Sequence, residues 1–387
     1  MRMILQLFLF FLALMALPDW YIYRTYIRKC THKWVRRIYW LPTLVLLLGM
    51  IAIFGRFEPR PHSMNMMSTF LILFLCICVP KAIFTLSSLL LRFIASKLHR
   101  SFYESWLAGG IALYTFGYLV FGALYGKEHF VVREVTIASA DVPQAFEGYR
   151  IVQLSDIHAG SWTGNPQGLQ KAVDKVNALN PDLIVFTGDL VNNLATELDE
   201  FMPILSQLKA KDGVYSVLGN HDYSLYIHWE NPEDQQANLD SLKAKQAAMG
   251  GQMLNNAHVK IHHQQDSIAL IGVENSGRPP FPDYGDLQGA MQGTEGMFKV
   301  LLSPDPTHWR REVLPDPDIQ LMLAGHTHAM QTKLFGFSPS RFVYPEHDGL
   351  YKEDGQMLHV NIGLGYLMFP MRLGAWPEIT LITLQKE

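Results

Sequence analysis

Before residue 126 the chain is built of apolar runs long enough to cross a bilayer, and after residue 150 it is not. Any fold for this sequence has to begin from that division. A hydrocarbon core needs about 20 mostly apolar helical residues. Four stretches meet the requirement: Met3 to Tyr23, Ile38 to Phe54, Met67 through Pro80 to Ala95, and Trp106 to Tyr125. Trp20, Tyr21, Tyr23, Trp40, Trp106 and Tyr125 stand at their ends, as expected of rings that prefer the headgroup level. Pro80 removes a backbone donor and crowds the preceding turn, so a kink is expected there. A cleaved signal peptide, with Arg2 as its charged start and Ile4 to Leu17 as its apolar core, is the competing reading. Asp19-Trp20-Tyr21 lacks the small residues that a cleavage site requires.

Lysine and arginine set the expected orientation. The connection after the first span carries Arg24, Arg28, Lys29, Lys33, Arg36 and Arg37. The one after the third carries Lys97 and Arg100 with Arg92 nearby, and the one after the second only Arg56 and Arg60. The bias makes the first and third connections cytoplasmic and both termini extracytoplasmic.

At 387 residues there is chain enough for two cores, and a boundary is expected between 1–126 and 127–387. A net charge of -3 shows no basic footprint for nucleic acid. Cys30, Cys76 and Cys78 all precede the boundary, so neither a disulfide framework nor a thiolate metal site is expected beyond it.

From Phe130 onward short β-rich runs alternate with helical patterns. Strands are expected at Val131–Ala138, Arg150–Leu154, Leu183–Phe186, Gly213–Val217, Ile268–Val273, Lys299–Leu302, Gln320–Ala324, Met357–Asn361 and Glu378–Leu384. Helices are expected at Gln167–Leu179, Leu198–Lys209 and Ala237–Met249, and a loop or flap at Asn275–Gly296. The alternation points to an α/β fold with helices covering sheets.

Four polar clusters follow expected strands: Ser155-Asp156-Ile157-His158, Thr187-Gly188-Asp189, Gly219-Asn220-His221-Asp222 and Gly325-His326-Thr327-His328. Each alone reads as an ordinary turn or cap. Together, loops at the ends of a rigid sheet can bring carboxylate, amide and imidazole groups to one point. That mixed O/N set suits Mn, Fe or Zn rather than Ca.

The succession D-x-H, G-D, G-N-H-D, G-H-T-H resembles the calcineurin-like metallophosphoesterase superfamily over residues 130 to 387. Gly349-Leu350-Tyr351, Asn361-Ile362-Gly363-Leu364-Gly365, Pro370-Met371-Arg372-Leu373-Gly374 and Pro377-Glu378-Ile379-Thr380 resemble its membrane-associated bacterial branch, which includes enzymes of the UDP-2,3-diacylglucosamine pyrophosphatase type. The resemblance implies a four-layer αββα sandwich behind an all-α domain of about four transmembrane helices. It implies two divalent metal ions, the first held by Asp156, His158, Asp189 and His328. Asp189 would bridge to a second, which takes Asn220 and His326. His221 would act as general acid at the leaving group or stabilise its developing charge, with Asp222 orienting its ring, while water activated by the cations attacks phosphorus.

The family usually supplies a further histidine after a segment like Leu301-Leu302-Ser303, where this chain has Pro304. His308 is the first candidate to replace it and Asp305 the other. Arg372 and Asn220 are expected to face a substrate phosphate, and Asn192 to hydrogen-bond behind the ligands. His228, His258, His262, His263 and His347 read as surface residues. The expected activity is hydrolysis of a phosphate ester or pyrophosphate bond, with a phosphorylated, amphiphilic or lipid-linked substrate and membrane lipids as partners. UDP-diacylglucosamine fits a cytoplasmic domain; a lipid phosphate or exported ester fits an outward-facing one. The rival reading is a membrane sensor or scaffold with a degenerate second metal site. A nuclease ranks below both, because the soluble part has no basic stripe with interleaved aromatics.

Overall fold

The computed structural model describes residues 2–56, 61–97, 104–316 and 318–387, so the expectations placed on Arg60 and Arg100 lie outside the described residues. Two compact units emerge: Met1–Tyr125 with Met368–Met371, and Gly126–Leu367 with Arg372–Glu387.

The first unit is helical: α1 (Arg2–Thr25), α2 (Lys33–Ile38), α3 (Leu41–Arg56), α4 (Pro61–Lys97) and α5 (Glu104–Leu124). Among the described residues, three stretches are long and apolar enough to cross a membrane: Lys33–Ile53, Met66–Lys97 and Glu104–Glu128. The 24-residue α1 is the remaining long helix. α4 runs unbroken through Pro80. Asp19 is fully buried, and its carboxylate meets Lys81 Nζ at 2.7 Å, Tyr39 Oη at 2.7 Å and the Thr43 hydroxyl. A charge at such depth stays only where its partners are also inside the bundle.

The second unit begins with β1 (Val131–Ser139) and β2 (Arg150–Leu154), then α6 (Pro166–Ala178) and β3 (Leu183–Thr187). The one-turn α7 (Met202–Leu205) and β4 (Val214–Val217) follow, then α8 (Pro232–Ala248) and β5 (Gly251–Met253). β6 (Ala257–His263) and β7 (Asp266–Gly272) precede α9 (Leu287–Met291) and β8 (Phe298–Leu302). The chain ends in β9 (Leu321–Ala324), β10 (Gly349–Glu353), β11 (Gln356–Val360) and β12 (Glu378–Lys386). One sheet has the order β1-β12-β2-β3-β4-β5, the other β10-β11-β9-β8-β7-β6. β2, β3 and β4 run parallel, as do β7, β8 and β9.

Period-two alternation in the strands produces the layers. Ile151, Leu183, Val185, Tyr215 and Val217 from one sheet share a buried core with Leu270, Val300, Leu302, Leu321 and Leu323 from the other. Their neighbours Val152, Leu154 and Ile184 turn outward against Leu169, Ala172, Val173 and Val176 of α6. On the far side Ile271, Leu301 and Met322 pack on Trp309, Val313 and the α9 residues Leu287 and Ala290. The result is the four-layer αββα sandwich.

The segment 198–209 corrects the sequence expectation. It holds only the end of the 3₁₀ turn Ala195–Leu198 and the one-turn α7; Leu198, Phe201 and Leu205 are buried at the spacing of a helix face, but Pro203 has no N–H to continue a helix from Leu198 and stands in the first turn of α7. The expected flap at 275–296 contains α9 but is otherwise irregular.

Candidate metal centre

The polar clusters all lie beyond the C-terminal ends of parallel strands, and their backbones are unusual. Asp156, His158, Asp189, His326 and His328 have φ values of 50, 49, 56, 73 and 48°, the left-handed region that costs a residue with a Cβ about 1–2 kcal/mol. Such outliers persist where surrounding bonds over-determine them. Here Asp156 N–H donates to Gly188 O (3.0 Å), His158 N–H to Asp189 O (3.1 Å) and Gly325 N–H to Pro304 O (2.9 Å). Two motif glycines provide clearance. A Cβ at Gly219 would run into the Asp189 carboxylate, and one at Gly325 into Ser155 and the Asp156 carboxylate.

Asp156, His158 and His328 bring one ligand atom each within 4.8 Å of one another, and all three are buried. His328 Nε2 lies 3.2 Å from Asp156 Oδ1 and 3.1 Å from His158 Nε2. Burial, with help from neighbouring imidazoles, pushes the His158 ring well below its usual range, and burial lowers His328 too. Burial raises the Asp156 carboxyl, but the adjacent His328 and His158 more than offset that and hold it low. Asp189 is driven the other way, first by burial and then by the Asp156 and Asp222 carboxylates. Two carboxyl groups pressed together in a dry pocket, beside imidazoles that burial discourages from carrying charge, favour an added positive charge. A divalent cation fits that donor set.

Beside this group, Asn220 Oδ1 meets His326 Nδ1 at 2.8 Å, and Asp189 Oδ1 accepts the His221 N–H at 2.8 Å. Asn220 and His326 are further engaged by Tyr226 Oη (2.6 Å) and Tyr344 Oη (2.9 Å). The Phe281 ring, from the 275–296 segment, packs edge-on against His326 with centroids 4.5 Å apart.

Four expectations need correction. Asp222 does not orient His221. Its Oδ2 accepts the N–H groups of Asp189 and Gly219, and its Oδ1 those of Leu190 and Val191, so it holds the loop that carries Asp189. The ring of His221 is held instead by the Asn192 carbonyl, 2.8 Å from Nδ1. Asn192 therefore acts through its backbone, while its amide side chain reaches Ser161. Arg372 is no substrate contact. It is fully buried, donating to the carbonyls of Ile362, Gly363, Gly365 and Ala375 and to His328 Nδ1 at 3.1 Å. His308 turns away from the centre, its Nδ1 on Ser303 Oγ (2.9 Å) and its Nε2 towards Glu312 (3.4 Å). Asp305, the other candidate, faces the centre, with Oδ2 3.9 Å from His326 Nε2.

Sequence reasoning missed Tyr226 and Tyr344. Tyr226 stands four residues past Asp222 and was within reach of a local reading, whereas Tyr344 carries no local signal. Glu197 was missed as well. Its carboxylate accepts the N–H groups of Gly160, Asn192, Asn193 and Leu194, and so steadies the turn whose carbonyl grips His221.

Residues 149–330 match the family model of the calcineurin-like phosphoesterase, and residues 1–127 that of the calcineurin-like phosphoesterase transmembrane domain. The chain carries a calcineurin-like metallophosphoesterase domain, preceded in the sequence by a transmembrane phosphoesterase domain. A Danio rerio "transmembrane protein with metallophosphoesterase domain" is 34% identical over 277 residues, 69% of this chain and 60% of that protein. This metallophosphoesterase therefore spans less than two thirds of that relative's length. An uncharacterised metallophosphoesterase of Bacillus subtilis is 29% identical over 288 residues, 70% of this chain and 94% of its own. A phosphopantetheinyl hydrolase structure from Mycobacterium tuberculosis superposes on 57% of this chain and 91% of its own, at 14% identity and a TM-score of 0.34. That likeness is too loose to bear on activity.

Proposed function

We propose that this metallophosphoesterase hydrolyses a phosphate ester or pyrophosphate bond in an amphiphilic substrate, with two divalent cations. The observation that carries the proposal is the convergence of Asp156, His158 and His328 at one buried point. In this reading Asp189 joins those three and is shared with a second cation, which Asn220 and His326 also hold. Two divalent cations, when bound, would neutralise a phosphoryl group and lower the pKa of water.

The chain's own residues do the rest. A carbonyl only accepts, so Asn192 fixes the proton of His221 on Nδ1 and leaves Nε2 for exchange with the substrate. Burial takes the His221 ring down to about 4, which leaves it neutral until phosphate charge or an arriving proton changes the balance. Once Nε2 has taken up a proton from water, the ring hands that proton to the departing oxygen and returns to its neutral Nδ1–H form. Arg372 keeps the His328 ring in place, and the Asp222 carboxylate holds the loop that aims Asp189.

The membrane unit favours a lipid-linked substrate. The basic residues between α1 and α3 favour a cytoplasmic position for that connection, which puts the catalytic domain outside. A lipid phosphate or exported ester then ranks above UDP-diacylglucosamine. The opposed reading, a sensor with a degenerate second site, rests on Pro304 and predicts metal binding without turnover.

The test uses the full chain in detergent with added Mn²⁺, assayed on aryl phosphate mono- and diesters and on a phosphatidate. Metal-dependent release is expected, falling about 10²–10⁴-fold in His221→Ala with metal content unchanged. Stoichiometric metal with no turnover of any monoester, diester or pyrophosphate overturns the proposal.

A further inference from the structure

The second cation is short of charge. Asn220 offers a neutral amide oxygen, His326 a neutral ring nitrogen, and Asp189 is shared. A divalent ion held by these alone would keep most of its charge uncompensated in a buried setting.

The turn after β8 lies beside that position. Ser303 N–H donates to Leu323 O (3.0 Å) and Gly325 N–H to Pro304 O (2.9 Å), which sews 303–305 against the end of β9 and brings Asp305 level with His326. The Asp305 carboxylate is fully buried. One of its oxygens is accounted for within the turn. Oδ1 accepts the Thr307 N–H at 2.8 Å, an Asx turn that fixes the rotamer. The other oxygen is not. Oδ2 is buried with no hydrogen-bond partner and lies 3.9 Å from His326 Nε2. Space is kept clear around it, since a Cβ at Gly277 would come within 2.9 Å of Oδ2. A buried carboxylate oxygen with no donor costs several kcal/mol unless a positive charge meets it. No lysine or arginine does so among the described residues that contact Asp305. His308 is the weaker alternative: its Nδ1 is bonded to Ser303 Oγ, and its Nε2, also without a hydrogen-bond partner, has its charged contact at Glu312 (3.4 Å) and not at a residue of the centre.

We propose that Asp305 is a ligand of the second cation, supplying through Oδ2 the carboxylate that Pro304 cannot. This rests on the hydrolase reading for the existence of a second cation and goes beyond it in assigning the ligand. The assignment also changes the character of the site. Asp189, Asn220 and Asp305 with His326 make three oxygens and one nitrogen, against two and two for Asp156, Asp189, His158 and His328. The oxygen-rich site prefers a harder ion, so Mn²⁺ or Mg²⁺ is expected there even where the first site takes Zn²⁺.

The test counts metal as well as turnover. Full-length chain in detergent is stripped with chelator and titrated with Mn²⁺, with bound metal measured by mass spectrometry and the pair followed by its spin-coupled paramagnetic resonance signal. Wild type and His308→Ala should hold two Mn²⁺ per chain and show coupling. Asp305→Asn should hold one and lose the coupling, its second affinity reduced by more than the roughly 100-fold that loss of a mere supporting contact produces. Asp305→His should restore the second ion, which separates ligand loss from misfolding. Two coupled ions in Asp305→Asn at wild-type affinity overturn the assignment. So does a wild type that turns over substrate with one ion. A wild type that binds two ions, loses one in Asp305→Asn, and hydrolyses nothing leaves the assignment standing and removes the hydrolase reading.

Discussion

Asp222→Asn discriminates sharply between a carboxylate that serves a neighbouring imidazole and one that holds a backbone. Each Asp222 oxygen accepts two N–H groups: Asp189 and Gly219 on Oδ2, both at 2.9 Å, and Leu190 and Val191 on Oδ1, at 2.9 and 3.2 Å. Burial pushes this carboxyl up to about 7, and the four N–H donors pull against that and favour the anion. An asparagine keeps the shape but has one acceptor oxygen, so its NH₂ must face two backbone donors. Two charge-assisted hydrogen bonds disappear, at about 1.5–3 kcal/mol each, for a loss of roughly 3–6 kcal/mol. In a domain of this size each kcal/mol moves the midpoint by about 2–4 °C, so a fall of roughly 6–24 °C is expected. Tryptophan fluorescence reports it, because Trp162 and Trp309 are fully buried in the second unit. Metal affinity should fall in parallel, since the same loop presents Asp189. A midpoint within about 2 °C of wild type, the shift of a change worth no more than 1 kcal/mol or so, with full metal content and turnover lost as in His221→Ala, would falsify this account and return Asp222 to the imidazole.

Two further perturbations address the periphery of the centre. Arg372→Met keeps the apolar stem but leaves the carbonyls of Ile362, Gly365 and Ala375 without the donor they now have, while Gly363 keeps the Glu378 N–H. At about 1–3 kcal/mol for each stranded group, the second unit should lose more than about 3 kcal/mol, read in the same unfolding assay; normal stability with a raised KM would instead restore Arg372 as a substrate contact. Glu378 is fully buried, and burial, opposed by Arg133, lifts it from 4.5 to about 7. Its folded pKa exceeds its unfolded one, so stability is fully present below about 4.5 and is lost as pH rises towards 7, by roughly 3 kcal/mol in all. Glu378→Gln should flatten that part of the curve of midpoint against pH across this window, and an unchanged slope counts against the buried neutral acid.

The membrane division and the positions of the four polar clusters were legible because each depends on local properties. An apolar run of sufficient length dictates a spanning helix whatever surrounds it. A β-rich run followed by Gly or Ser and then a polar residue marks where a strand stops and a loop begins, and Asp156, Asp189, Asn220 and His326 stand at such points. Most strand positions followed from the same reasoning. β5, β6 and β10 did not, since Gly251–Met253 is too short to show alternation, Ala257–His263 is too polar, and Gly349–Glu353 opens on glycine and ends in charged residues.

Where each functional atom points was settled only in three dimensions. Asp222 adjoins His221 in the chain yet serves Asp189, 33 residues away, while His221 is held by a carbonyl 29 residues distant. Arg372 has the look of a phosphate ligand until its guanidinium is found engaged by backbone carbonyls. Between Asp305 and His308 the sequence put His308 first; the bonds from β9 to the 303–305 turn bring the Asp305 carboxylate to 3.9 Å from His326, which favours the other candidate. Residue type and spacing specify which groups are available. Their aim is set by hydrogen bonds between segments far apart in the chain, and those exist only once the two sheets have closed on each other.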